Sequence, residues 1–246
     1  GEERLAAALA EAGHDPDPAR AGRLRALAVL LGDHPGDPGL PGRLAARLAG
    51  TRALVLLTGR EPPGDAPALV LRPLAEEDAR ALARAAAPEI APAGIDWAVG
   101  LGEGLPGRIV PLARAARDWQ GGDAPPPPVP AHLAGPLLEL AGRLDPVPRD
   151  VARWAAVAGG TVDAAGLARV CGLRAAAVQR ALDALVAAGM MEEVGGPGPP
   201  RHRFADRLAP AVLEAALPSG ERRARHAAAL VAGRAAGRDP RALARP

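Results

Sequence analysis

The chain has 246 residues, 48% of them hydrophobic, and its 30 basic residues nearly balance 28 acidic ones, leaving a net charge of +2. Such a length buries a sizeable core as one large domain or two small ones, and such a balance excludes a global polyanion-binding field. Every basic residue is Arg, there is no Lys, Asn or Tyr, and Ser219 is the single Ser, which excludes Schiff-base chemistry, a phosphate-binding lysine and most nucleophiles.

Other absences narrow the class further. Cys171 is the only cysteine, so internal disulfides and multi-cysteine metal sites are excluded. The five histidines, His14, His34, His132, His202 and His226, show no metal-ligand spacing. No apolar run approaches the ~20 residues that span a bilayer, and no basic-then-apolar signal opens the chain, so a cytoplasmic location is expected. Scarce aromatics and abundant Ala and Leu favour helices packed through small side chains over a β-sandwich. The opening Gly1 in place of Met leads us to expect a fragment.

In chain order, residues 2–12 read as a helix, followed by the turn-rich HDPDPARAG. ALAVLL (26–31) and ALVLLT (53–58) are short continuous apolar runs, as expected of parallel strands buried on both faces, and GLPGRLAARLAG between them fits a crossover helix. Two buried helix pieces are the alternative; the abrupt Gly and Asp terminations favour strands. In a sheet of this kind functional groups gather at the carboxyl ends of the strands, which puts Asp33 and Arg60 forward. As ordinary loop charges both would simply be solvated.

Residues 69–88 read as a strand and then a helix with an acidic first turn, and residues 95–119 as two helices broken between Gly102 and Pro106. The run GGDAPPPPVPAHLAG (121–135) reads as an extended spacer, since successive prolines neither continue a helix nor pair in a sheet. Beyond it, DAAGLARVCG, a turn at Gly172, the helix RAAAVQRALDALVAAG, then MMEEV and RHRF have the shape of a winged helix. Gln179, Arg180 and Asp183 are a thin set for reading base edges. Residues 150–194 carry four Arg against five acids, while residues 201–246 carry ten Arg against four acids. Phosphate contacts supply most DNA affinity, so little DNA binding is expected of this segment and a weak, salt-sensitive one of the Arg-rich tail.

These residues together resemble the STAND-class (AAA/NB-ARC-like) ATPase core of large LuxR-type, MalT-like transcriptional regulators. The strand ending in Gly32, Asp33, His34, Pro35, Gly36, Asp37 and Pro38 is similar to the family's Walker B strand, and Thr58-Gly59-Arg60 to its sensor strand. The resemblance implies that Asp33 takes the place of the second acid, that Gly32 replaces the acid that helps hold Mg²⁺, and that Arg60 falls where an arginine reads the γ-phosphate. Leu71, Pro73 and Leu74 would open the helical lid; Glu103, Gly104, Leu105 and Pro106 would form the turn whose proline packs on adenine. The stretch from His202 to Val231 matches the family's closing motif at Arg203, Phe204, Leu208, Ala211, Val212, Leu217, Pro218, Arg222 and His226. Where the family has a phosphate-sensing histidine, this chain has Asp206, an acid that repels phosphate.

The resemblance covers nearly the whole chain but only the later half of an ATPase core, and no G-x-x-x-x-G-K-[ST] occurs. The fold expected is mostly α with a small parallel α/β part: the C-terminal half of a P-loop NTPase sheet (1–74), a helical lid (75–120), a Pro-rich linker (121–136), a winged helix (137–205) and the start of a C-terminal helical arm (206–246). No catalytic and no metal residue is expected. The vestigial nucleotide-site positions are Asp33, Arg60, Gly104, Pro106 and Asp206. The chain alone is expected to use no cofactor, with ATP or ADP and Mg²⁺ entering only if an upstream segment supplies a P-loop. Its expected role is regulation or scaffolding in a STAND-type transcriptional regulator. The partners would be other domains of the same regulator or protein partners, with DNA reached weakly or through another module and no membrane. Alternatives are an ATP-binding regulatory ATPase completed by that upstream P-loop and a winged-helix DNA-binding protein.

Overall fold

The computed structural model describes residues 26–30, 46, 53–57, 69–122, 124–196 and 198–235. They are mostly helical and belong to two compact units, Gly1–Arg72 and Pro73–Pro246. Asp33, Arg60 and the helix expected over 2–12 lie outside the described residues; of the expected crossover helix only Ala46 is described, and it is helical.

In the first unit, β1 (Ala26–Leu30) pairs in parallel with β2 (Ala53–Leu57), in register from Ala26 opposite Ala53 to Leu30 opposite Leu57. Both strands fall on the apolar runs that suggested them. The strand expected at the start of 69–88 is not formed. Residues 69–75 have no ladder partner, and Leu69, Val70 and Leu71 are 87%, 67% and 85% exposed. Apolar residues alone do not make a strand; Pro73 lacks a donor, and among the described residues no strand pairs with this segment.

The second unit opens with three short helices, α1 (Glu76–Ala86), α2 (Pro92–Gly102) and α3 (Pro106–Ala115). Helix α1 starts with Glu76, Glu77 and Asp78 and carries Arg84 in its last turn, each charge opposing the helix dipole. Prolines at the first positions of α2 and α3 cost nothing there, because those N–H groups lack an intrahelical acceptor. Ala79, Ala83, Ile95, Ala98, Ile109 and Leu112 build the core of this group. Gly102 lets α2 and α3 approach, since a Cβ there would lie 2.5 Å from Cγ1 of Ile109.

The Pro-rich stretch is extended only as far as Pro130. Helix α4 (Ala131–Arg143) begins inside the expected linker and accommodates Pro136 near its start. Val129, Leu133 and Leu137 pack on the α1–α3 core, so the stretch is part of the packing of its unit. Helix α5 (Pro146–Ala158) follows a tight corner where Nη2 of Arg149 donates to the carbonyls of Gly142 and Leu144, closing the end of α4.

Then come β3 (Val162–Asp163), α6 (Ala164–Cys171) and α7 (Ala175–Ala187). Asp163 caps α6 by accepting from the amide of Gly166 at 2.7 Å, and Gly172, at φ 71°, ends it in the left-handed region. The hairpin β4 (Met191–Val194) and β5 (Arg201–Phe204) completes a three-stranded antiparallel sheet of order β3-β5-β4. Its inner residues, Met191 and Phe204, join Val151, Val178, Leu182 and Leu185 in a second core.

Helix α8 (Leu208–Ala215) touches both cores. Leu208 and Val212 belong to the α1–α3 core, whereas Ala209 and Leu213 belong to the sheet-bearing core. The two pairs are each spaced by four residues and offset by one, so they lie on adjacent stripes of one helix. The last described helix is α9 (Ser219–Ala235), and among the described residues no helix is long and apolar enough to cross a membrane.

Candidate functional site

The corner between α2 and α3 is built from an uncommon backbone. Glu103 sits at φ 50° and ψ 36°, the only positive-φ residue other than glycine among those described, and Gly104 follows at φ 73°. A left-handed non-glycine residue costs about 1–2 kcal/mol. The carbonyl of Gly104 accepts from the amide of Leu74 at 2.8 Å, and a Cβ at Gly104 would lie 2.7 Å from the Leu74 carbonyl oxygen. Residues 73–74 are thus sewn to the corner, and only glycine fits between. Pro106 opens α3 directly after it.

A charge network closes over this corner from far along the chain. The guanidinium of Arg108 forks onto Asp206, Nη1 donating to Oδ1 at 3.1 Å and Nη2 to Oδ2 at 2.7 Å. Nη1 also reaches Oε2 of Glu103 at 3.2 Å, and Nε of Arg207 lies 3.4 Å from the other oxygen of Glu103. Oδ1 of Asp206 in addition accepts from the amide of Leu208 at 2.9 Å, at the start of α8. Arg108 and Asp206 are each about a quarter exposed, the two arginines balance the two acids, and a forked pair of this kind holds geometry as well as charge. Partial exposure keeps its worth near ~1 kcal/mol.

Of the sequence-predicted positions, Gly104, Pro106 and Asp206 come together here. Asp33 and Arg60 lie outside the described residues. Arg108 and Arg207 were missed by the sequence reading, which had Glu103 only as part of the turn. Arg108 stands only two residues after Pro106, but its partner is 98 residues away, and no local pattern signals that pairing. Chemically, the Asp206 carboxylate takes up both the guanidinium fork and the free amide of α8, the donors an incoming anion would use.

A buried cation ties α9 to α5. Arg225 donates to Oδ1 of Asp150 and Oε1 of Glu221, and its guanidinium carbon lies 4.5 Å from the centre of the Trp154 ring. Burial pulls its pKa down, but the hydrogen bonds to Asp150 and Glu221 outweigh that and hold it above the ordinary arginine value. Next to it, His226 pairs through Nε2 with Glu214 of α8 at 2.8 Å. Cys171, the single cysteine, is half-buried.

Helix α7 offers little to a base edge. Its exposed positions are Ala175, Ala176, Arg180, Asp183, Ala184, Val186 and Ala187, and Nε2 of Gln179 is already engaged by Oδ1 of Asp183 at 2.8 Å. A cleft beside α6 and α9, lined by Val162, Leu167, Ala229 and Gly233, holds about 40 Å³. Small-molecule pockets are larger by roughly an order of magnitude. Compared with protein-family models and with curated proteins, the chain matches none of either.

Proposed function

We propose that the chain is a regulatory and scaffolding part of a STAND-type signal-transduction ATPase and transcriptional regulator, and that it does not hydrolyse ATP on its own. The observation that carries the reading is the Arg108–Asp206 fork. It joins the corner that resembles the family's adenine-packing turn to the position that resembles its phosphate-sensing histidine. An internal carboxylate there satisfies the donors that a nucleotide phosphate would need, which supports a switch that works without nucleotide. In this reading Gly104, Pro106 and Asp206 are vestigial nucleotide-site positions, as the resemblance also implies for Asp33 and Arg60, and the parallel pair β1–β2 derives from a P-loop NTPase sheet.

The order β3-α6-α7-β4-β5, with β5 central, supports reading the sheet-bearing half as a winged helix. Its role here is packing against the lid helices and against other domains of a cytoplasmic regulator, not sequence-specific DNA recognition, because the exposed face of α7 is short of donors. Thermal unfolding tests the reading. A ligand at about 100 times its Kd stabilises by about 2.7 kcal/mol, so bound Mg·ATP would raise the midpoint by several degrees. The expected result is an unchanged midpoint, and a clear rise that needs Mg²⁺ would refute it.

A further inference from the structure

Within the second unit, two groups of helices meet along a narrow seam. The apolar part of the seam is Leu208 and Val212 of α8 with Leu133 and Leu137 of α4, packed on the α1–α3 core. Its polar part is the quartet of Glu103, Arg108, Asp206 and Arg207, which spans from the α2–α3 corner to the first residue of α8. The covalent connection between the groups includes the proline-rich run 125–130, which forms neither helix nor strand. A small apolar seam across such a connector permits relative motion, in the way that modest interdomain interfaces do.

We propose that this quartet is a latch that holds the α1–α3 group closed on α8, and that breaking it lets the two groups part along the α8 seam. Three features converge on this. Asp206 both grips Arg108 and caps the amide of Leu208, so one carboxylate sets the latch and fixes the start of the helix it latches. Glu103 holds the only left-handed backbone among the described non-glycine residues, and its carboxylate is the one that Arg108 and Arg207 share. Backbone bonds hold that conformation, the amide of Glu103 donating to the carbonyl of Val99 and that of Leu105 to Gly102, so the carboxylate the two arginines share stands on a fixed corner. Finally, α8 contributes to both cores through adjacent stripes, so a small rotation of it exchanges contact with one group for contact with the other. The latch deepens the regulatory reading above and rests on it only for its purpose, since closure itself requires neither nucleotide nor DNA.

The test is a distance measured between the groups. In a Cys171→Ala background, spin labels are placed at Glu77→Cys on α1 and Ala187→Cys at the end of α7, both exposed positions. Electron–electron double resonance on the full chain, with no nucleotide present, is expected to give one narrow distance. Arg108→Ala and Asp206→Ala are each expected to add a second, longer population. The same population is expected to grow in the latched protein as salt rises, because a Debye length of about 3 Å at 1 M screens a partly exposed pair. The salt series decides the matter if either variant fails to fold. A single unchanged distance across variants and salt would overturn the latch, whatever the outcome of nucleotide binding.

Discussion

The guanidinium carbon of Arg225 lies 4.5 Å from the centre of the Trp154 ring, sandwiched with Asp150 and Glu221, so the buried cation of α9 is held by an aromatic face and two carboxylates. Its side chain is 9% exposed, whereas those of Asp150 and Glu221 are 43% and 37% exposed. Removing the arginine therefore leaves carboxylates that water can reach, and the loss is mainly that of the stacking and the hydrogen bonds. Arg225→Ala is expected to cost about 1–3 kcal/mol in urea unfolding. Arg225→Lys should recover less than half of that, because an ammonium cannot stack flat and fork at once.

The pH dependence of that contribution has a definite sign. The folded-state pKa of Arg225 is raised, so the stability it confers is fully present below the ordinary arginine value and is lost only as pH rises through the higher, folded one. The deficit of Arg225→Ala should be the same at about pH 6 and about pH 9. A deficit that changes across that range would show that another titrating group governs the contact.

Two left-handed glycines separate conformational cost from steric cost. Gly172, at φ 71°, has open space where a Cβ would stand, so Gly172→Ala should cost about 1–2 kcal/mol. Gly104, at φ 73°, would place a Cβ 2.7 Å from the Leu74 carbonyl oxygen and 2.8 Å from Cβ of Pro73. Gly104→Ala should add about 1–3 kcal/mol of overpacking to the same conformational cost. Equal losses in urea unfolding would mean that the corner is not tied to residues 73–74.

Phe204, the single phenylalanine, is 8% exposed in the sheet-bearing core. Phe204→Ala is expected to cost about 3–5 kcal/mol. Of the apolar residues of α8, Leu208, Val212 and Leu213 are each buried, but not in one core. Of these three only Leu213 shares the core of Phe204; Leu208 and Val212 turn to the α1–α3 group. Leu213→Ala should therefore couple to Phe204→Ala in a double-mutant cycle, while Val212→Ala should add independently.

Binding to DNA should be weak, steeply salt-dependent and without sequence preference, because charge and not base-edge donors drives it. Fluorescence anisotropy with Gln179→Ala and Arg180→Ala should reproduce the affinity of the unaltered chain. A loss of sequence preference on those replacements would instead assign a reading role to α7.

What was legible in the sequence was local. Gly102 to Pro106 announced the break between α2 and α3, Gly172 the turn before α7, and the apolar runs at 26–31 and 53–58 the two parallel strands. These signals act within a few residues, through backbone conformations that glycine and proline permit or forbid. Elsewhere local signals misled. Leu69, Val70 and Leu71 have strand composition but no ladder partner, and the successive prolines suggested a spacer running on to 135, although α4 already starts at Ala131. Pro136 is the sixth residue of α4 and forgoes the helical bond its amide would have made, while Leu133 and Leu137 on either side of it are packed on the α1–α3 core. The Arg108–Asp206 fork and the division of α8 between two cores depend on tertiary placement, which composition and spacing do not encode.

Calorimetric titration of Mg·ATP into the full chain is the most direct check on a nucleotide-independent regulatory module. The amides and lysine that cradle the β- and γ-phosphates have no counterpart in a sequence without Lys, and Asp206 occupies the guanidinium of Arg108. No heat of binding above dilution is expected, either for the unaltered chain or with Mg²⁺ omitted. Micromolar affinity that depends on Mg²⁺ would contradict the assignment and make the corner at Gly104 and Pro106 part of a working nucleotide site.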